Sequence, residues 1–169
     1  NKPVITALAS DIIQVTADSV TIRDLRIEMG LTFINGLKGI AASGSYNGLS
    51  IINNEIYSTK NLSTGMVFGS YGIQVAGGTG QMVHISGNII QPLDSARDAH
   101  GRAIGVGLNG TPGPGATIIN NTARAFYPIQ SISTNGNLWI ENNTFSGNTL
   151  LTYPASGTTI DLLNNTFDG

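Results

Sequence analysis

The 169-residue chain contains no cysteine, which rules out a disulfide framework and any thiolate metal site. Charge is scarce as well. Asp, Glu, Lys and Arg make up only 11% of the residues, and the eight basic residues form no run. A formal net charge of −2 gives no electrostatic basis for binding nucleic acid. No apolar stretch approaches the roughly 20 residues needed to cross a bilayer as a helix, so no membrane partner is expected. Tryptophan occurs once, as Trp139. What the chain does have is 22 glycines and many Asn, Thr and Ser residues, the composition of strands and turns with a polar, weakly ionic surface. The length suits one domain over residues 1–169.

A repeat dominates the remainder. The pattern apolar, any, apolar, two residues, Asn, any, apolar occurs six times. Its copies run Val20-x-Ile22-xx-Leu25-x-Ile27, Leu49-x-Ile51-xx-Asn54-x-Ile56 and Val83-x-Ile85-xx-Asn88-x-Ile90. They continue with Ala116-x-Ile118-xx-Asn121-x-Ala123, Leu138-x-Ile140-xx-Asn143-x-Phe145 and Ile160-x-Leu162-xx-Asn165-x-Phe167. Each copy alternates with period two, as a half-buried strand requires. A second strand is expected before each following copy, with inward pairs Ile40/Ala42, Ile73/Val75, Ile104/Val106, Ile129/Ser131 and Leu151/Tyr153. Ile118, Ile140 and Leu162 are spaced by 22 residues, a length at which each repeat supplies one coil of a stack. No hairpin turn joins the copies, and the spacing leaves room for the return path that parallel pairing needs. The expected fold is all-β, a parallel solenoid of about six coils in which Ile22, Ile51, Ile85, Ile118, Ile140 and Leu162 share one inward file.

The recurrent asparagines have two physical reasons to be at a corner. Asn tolerates a left-handed backbone, and stacked amides can donate to and accept from the rungs above and below. Asn54, Asn88, Asn121, Asn143 and Asn165 are therefore expected to form a structural ladder. That ladder accounts for the Asn-x-Thr glycosylation patterns at residues 120–122, 142–144 and 164–166; a fourth pattern lies at Asn61.

These coils, as in Ile51-Ile52-Asn53-Asn54-Glu55-Ile56, resemble the repeats of the pectate-lyase-like β-helix superfamily, from about Val20 to Phe167. The resemblance implies a single-stranded right-handed parallel β-helix. It does not select an activity, since the superfamily includes lyases, hydrolases, epimerases, phage tailspikes and non-catalytic surface proteins. The chain stops in mid-coil, with no amphipathic capping helix before Asp11, so a fragment of a longer solenoid is expected. Its ends would be covered by neighbouring domains or by a homo-oligomer.

Three copies are followed by long segments at the same corner: 13 residues from Ile27 to Ile40, 17 from Ile56 to Ile73 and 14 from Ile90 to Ile104, against 6 from Phe145 to Leu151. Successive insertions at one corner are expected to form a wall of loops, where binding residues collect. The substrate-binding candidates are Glu28, Lys38, Tyr57, Lys60, Tyr71 and Arg97, with outward-pointing Trp139 as either a separate sugar platform or part of an interface. Planar rings suit pyranose faces, and charged groups suit hydroxyls and uronates.

The catalytic candidates are Asp94, Asp98, His100 and Arg102. Ala99-His100-Gly101 resembles the Gly-His-Gly turn of polygalacturonases. The paired acids expected one coil earlier are replaced by Tyr71-Gly72-Ile73-Gln74-Val75, and the family's downstream Arg-x-Lys is missing. Outward positions of the repeat read Thr21/Arg23, Ser50/Ile52, His84/Ser86, Thr117/Ile119, Trp139/Glu141 and Asp161/Leu163, with no acidic column for calcium. Asp94, Asp98 and His100 could ligate a cation such as calcium, but their spacing matches no metal motif, and no cofactor is expected. Gly105-x-Gly107-x-x-Gly110 is followed by Thr111-Pro112-Gly113-Pro114 and not by a helix, so it is no dinucleotide site. The leading expectation is an extracellular polysaccharide-recognising module of a bacterial surface protein or phage tailspike. The alternatives are a polysaccharide lyase or glycoside hydrolase at the loop wall, and a purely structural virion or adhesin solenoid.

Overall fold

A computed structural model describes residues 1–7, 11–29, 37–44, 47–58, 71–76, 83–92, 104–109, 115–125, 127–134, 136–147, 151–154 and 159–169. Among them every regular element is a β-strand, and every strand pairing is parallel. The first sheet holds seven strands: Val4–Ala7, Arg26–Met29, Glu55–Ser58, Ile89–Pro92, Thr122–Arg124, Thr144–Ser146 and Thr166–Asp168. The second holds six: Ile13–Val15, Lys38–Ser43, Tyr71–Ala76, Ile104–Asn109, Tyr127–Thr134 and Leu151–Pro154. The third holds the remaining six: Thr21–Arg23, Ser50–Ile52, Val83–Ser86, Gly115–Ile119, Asn137–Glu141 and Ile160–Leu163. The chain visits the three sheets in turn, one rung after another, an arrangement compatible with a parallel β-helix.

The inward file of the third sheet is the one the repeat predicts. Ile22 lies opposite Ile51, Ile51 opposite Ile85, Ile85 opposite Ile118, Ile118 opposite Ile140 and Ile140 opposite Leu162. In the first sheet Ile5, Ile27, Ile56, Ile90, Ala123, Phe145 and Phe167 form a second file. The interior members of both files are buried and join one core, where each fully enclosed isoleucine contributes about 1.5–3 kcal/mol.

Three expectations need correction. Each copy of the repeat is two strands and not one, because the chain turns between the second apolar position and the Asn, carrying the copy from the third sheet to the first. Secondly, the left-handed residue is the one before the ladder position: Asn53, Asn120, Asn142 and Asn164 have φ of 53°, 57°, 54° and 53°, while Asp24 and Gly87 serve at 59° and 64°. Asn120, Asn142 and Asn164 are the first residues of the three glycosylation patterns, and they are exposed. Corner geometry explains them; the ladder explains their neighbours. Thirdly, Ile73 is opposite Val106 and not Ile104, and Leu151 is opposite Gln130 and not Ile129.

The shift at Val106 has a physical cause. Gly39, Gly72 and Gly105 occupy one slot in successive rungs. A Cβ would stand 2.7 Å from the Gly72 carbonyl oxygen at Gly39, 2.9 Å from that of Gly105 at Gly72, and 2.4 Å from that of Pro128 at Gly105. Only glycine allows this approach, and aligning the glycines places Ile104 beside Tyr71. The strand at Val4–Ala7, paired with Arg26–Met29, also extends the stack ahead of Val20.

The ladder itself is continuous. Asn121 donates from Nδ2 to the Ile85 oxygen at 2.9 Å and to Asn143 Oδ1 at 3.0 Å, and its Oδ1 accepts from the backbone N–H of Asn88 at 2.9 Å. Asn54, Asn88 and Asn143 repeat the scheme, and Asn165 donates to Ile140. Each amide thus reaches a carbonyl of the preceding rung. Thr21–Arg23 is the edge strand of the third sheet. No rung carbonyl lies beyond it among the described residues, and Leu25 fills the slot there, offering only its N–H to Asn54 Oδ1 at 3.1 Å.

Candidate functional site

The long segments after Ile27, Ile56 and Ile90 leave from three adjacent strands of the first sheet and return to three adjacent strands of the second. At the departing ends Glu28 lies opposite Tyr57, and Tyr57 opposite Gln91. At the returning ends Lys38 lies opposite Tyr71. Register therefore brings the four described candidates of the loop wall together as two pairs, Glu28 with Tyr57 and Lys38 with Tyr71. Lys60, Asp94, Arg97, Asp98, His100 and Arg102 lie outside the described residues.

The first pair belongs to a larger cluster on the outer face of the first sheet. Arg26 Nε donates to Glu28 Oε1 at 2.8 Å, and its guanidinium lies 4.8 Å from the centroid of the Tyr57 ring. The Tyr57 hydroxyl donates to Glu55 Oε2 at 3.3 Å, and Lys2 Nζ stands 3.3 Å from Glu55 Oε1. Lys2 also donates to the Asn53 oxygen at 2.6 Å. Burial, reinforced by the Glu55 charge, holds the Tyr57 phenol above its ordinary pKa. Beside the corner, hydrogen bonds from Arg23 and Asn53 hold the Asp24 carboxyl below its ordinary value.

On the returning side Lys38 is tied to Asp11. Its Nζ lies 3.3 Å from Asp11 Oδ2, and its backbone N–H donates to Asp11 Oδ1 at 3.1 Å. Glu28 and Lys38 thus each hold an intramolecular partner, so a ligand bonding to either exchanges one pair for another. Both pairs are only partly exposed, so a ligand that displaces one must supply an equivalent partner for each charge.

No family model, curated protein or solved structure matches this chain. Among the described residues no three His, Asp or Glu side chains group as a metal site.

Trp139 stands elsewhere, on the outer face of the third sheet. The outward pairs expected there are the observed ones: Thr21, Ser50, His84, Thr117, Trp139 and Asp161 form one file, and Arg23, Ile52, Ser86, Ile119, Glu141 and Leu163 the next. The indole Nε1 donates to Glu141 Oε2 at 2.8 Å, and Asn142 Nδ2 donates to Glu141 Oε1 at 3.2 Å. Two strands away His84 Nδ1 lies 2.7 Å from Thr117 Oγ1.

Sequence reasoning missed Lys2, Arg26 and Glu55. The signal was available, since Arg26 and Glu55 fill the same variable position between the ladder slot and the next apolar residue. Listing the outward residues after the corner, as well as before it, exposes the cluster.

Proposed function

We propose that the chain is a right-handed parallel β-helix of about six coils, as many as the strands of its second and third sheets, resembling the pectate-lyase-like superfamily. In this reading it recognises polysaccharide outside the cell, on a bacterial or virion surface, at the corner between the first and second sheets. The observation that carries it is the pairing of Glu28 with Tyr57 and of Lys38 with Tyr71 at the strand ends flanking the long segments. A tyrosine ring offers an apolar face to a pyranose, and the neighbouring charged groups bond its hydroxyls. A cysteine-free, charge-poor chain is in keeping with that setting.

The test is a glycan array probed with the intact protein and with forms in which residues 57–71 or 91–103 are shortened. Binding that disappears on shortening supports the reading, and binding that is unaffected refutes it. Release of reducing ends, or absorbance from unsaturated uronate, would instead identify a hydrolase or lyase acting at that corner. Absence of both binding and cleavage would leave a structural solenoid.

A further inference from the structure

We infer a second saccharide site on the outer face of the third sheet, centred on Trp139 and selective for neutral or amino sugars over uronates. It takes its ligand class from the polysaccharide reading, but stands on a different face and on different residues.

Trp139 is 44% exposed although both neighbours along its own strand, Leu138 and Ile140, are buried. An indole with nearly half of its surface open to solvent offers a flat apolar face to a partner. Its orientation is restrained, because Glu141 on the same strand holds the ring N–H and Asn142 in turn holds Glu141. Restraint before binding reduces the entropy lost on binding. Thr117 and Asp161 lie on either side of Trp139 in the same file, at the strand spacing of about 4.8 Å. Thr117 Oγ1 is engaged by His84 Nδ1 at 2.7 Å, on the side away from Trp139, so the acidic neighbours Asp161 in the file and Glu141 on the same strand supply the polar groups of the site. Ring face and carboxylates together make a saccharide subsite: stacking on the indole, with hydroxyls bonded at its rim.

Charge decides which sugar. Glu141 and Asp161 are both acidic, and among the described residues this face carries no Lys or Arg nearer than Arg23, four strands away. A uronate stacked on Trp139 meets two carboxylates and no cation, whereas a neutral sugar donates hydroxyls to them and an amino sugar adds an ammonium. At separations near 5 Å in a water-rich setting, two such repulsions weaken a uronate by about tenfold.

Because Trp139 is the only tryptophan, emission excited at the red edge, where indole absorbs and tyrosine does not, reports this site alone. The intact protein is titrated with hexasaccharides of glucose, glucosamine and galacturonate. We expect an emission shift with the first two and binding at least about tenfold weaker with the third. By calorimetry, Trp139→Phe should retain binding within about tenfold, and Trp139→Ala should lose more than that with an unchanged melting temperature. Glu141→Gln combined with Asp161→Asn should erase the preference for glucosamine over galacturonate. Unchanged emission with all three sugars at millimolar concentration overturns the inference. So does galacturonate binding as well as glucose, or an emission shift that follows protein concentration without sugar, the mark of a protein interface. Shortening residues 57–71 and 91–103 should leave the Trp139 titration intact. Array binding by Trp139→Ala reads the loop corner alone: its loss on shortening, with the emission response of the parent retained, separates the two sites, and array binding by Trp139→Ala with no emission response in the parent sinks only this one.

Discussion

Trp139 and Asn143 stand four residues apart on one rung, and their surroundings could hardly differ more. Asn143 is 1% exposed and every polar atom of its amide is committed: Nδ2 to the oxygens of Ile118, Glu141 and Asn165, Oδ1 to the N–H groups of Asn121. Trp139 has one polar atom and one bond, to a carboxylate two residues along. The same parallel register positions both. Burial assigns their roles, since an enclosed amide has no water to fall back on, whereas an exposed indole contributes little to folding and remains available. On a solenoid, polarity inside marks the scaffold and apolarity outside marks the candidate contact.

The sharpest way to break this comparison is to substitute both. Asn143→Leu leaves the buried Asn121 N–H without its partner and removes one bond each from the Asn121 amide and the Ile118 carbonyl, and should cost about 2–4 kcal/mol, read as a shift of the denaturant midpoint. Trp139→Ala should change stability by no more than about 0.5 kcal/mol. Equal losses would show that Trp139 is a folding residue and end the distinction.

Next in size is Gly72→Ala. Its new methyl would lie 2.4 Å from Ile90 Cγ2 and 2.9 Å from the Gly105 oxygen, which forces a rung apart at about 1–3 kcal/mol. Gly87→Ala is the control, with nothing nearer than 3.8 Å but φ of +64°, so only backbone strain of about 1 kcal/mol applies. A smaller effect still is expected at Asn142. Replacement by Gly should be nearly neutral, and replacement by Ala should cost about 1 kcal/mol, because φ is 54° there. Thermal melts that rank Asn142→Gly below Asn142→Ala would contradict the assignment of corner geometry to that residue.

Much of this architecture is legible in the chain. Ile22 to Leu162 could be aligned by eye because a one-residue slip would bury Thr21 or Arg23 in place of Ile22. The outward pairs followed from the same alternation. What escaped was anything fixed by the backbone alone. The repeat shows where apolar side chains recur, but not that the chain bends inside it, because a corner of one left-handed residue disturbs the spacing by a single position. The repeat puts both roles on Asn54, although Asn53 supplies the left-handed φ and Asn54 the amide. Ile104 aligns with Ile73 by spacing, and only the glycine file at Gly39, Gly72 and Gly105 puts Val106 there instead. For the candidate site, Glu28 beside Tyr57 needed only correct alignment, whereas the partners that hold them, Arg26 and Glu55, required both faces of the corner to be tabulated.

Tyr57 provides the finest adjustment of the contrast between committed and available groups. Its ring lies under the Arg26 guanidinium and its hydroxyl bonds to Glu55, so it is less free than Trp139 and far less enclosed than Asn143. Burial and the adjacent carboxylate raise its pKa in the folded chain above that in the unfolded chain. The native state therefore favours the protonated phenol. This contribution is complete below the unfolded value of about 10 and is lost as pH rises through the higher folded value. Stability measured by urea denaturation should accordingly decline in that alkaline window, and Tyr57→Phe should flatten the decline while altering stability near pH 7 only slightly. A decline that persists unchanged in Tyr57→Phe would mean that the phenol is as free as a solvated side chain, and that Arg26 and Glu55 do not hold it in place beside Glu28.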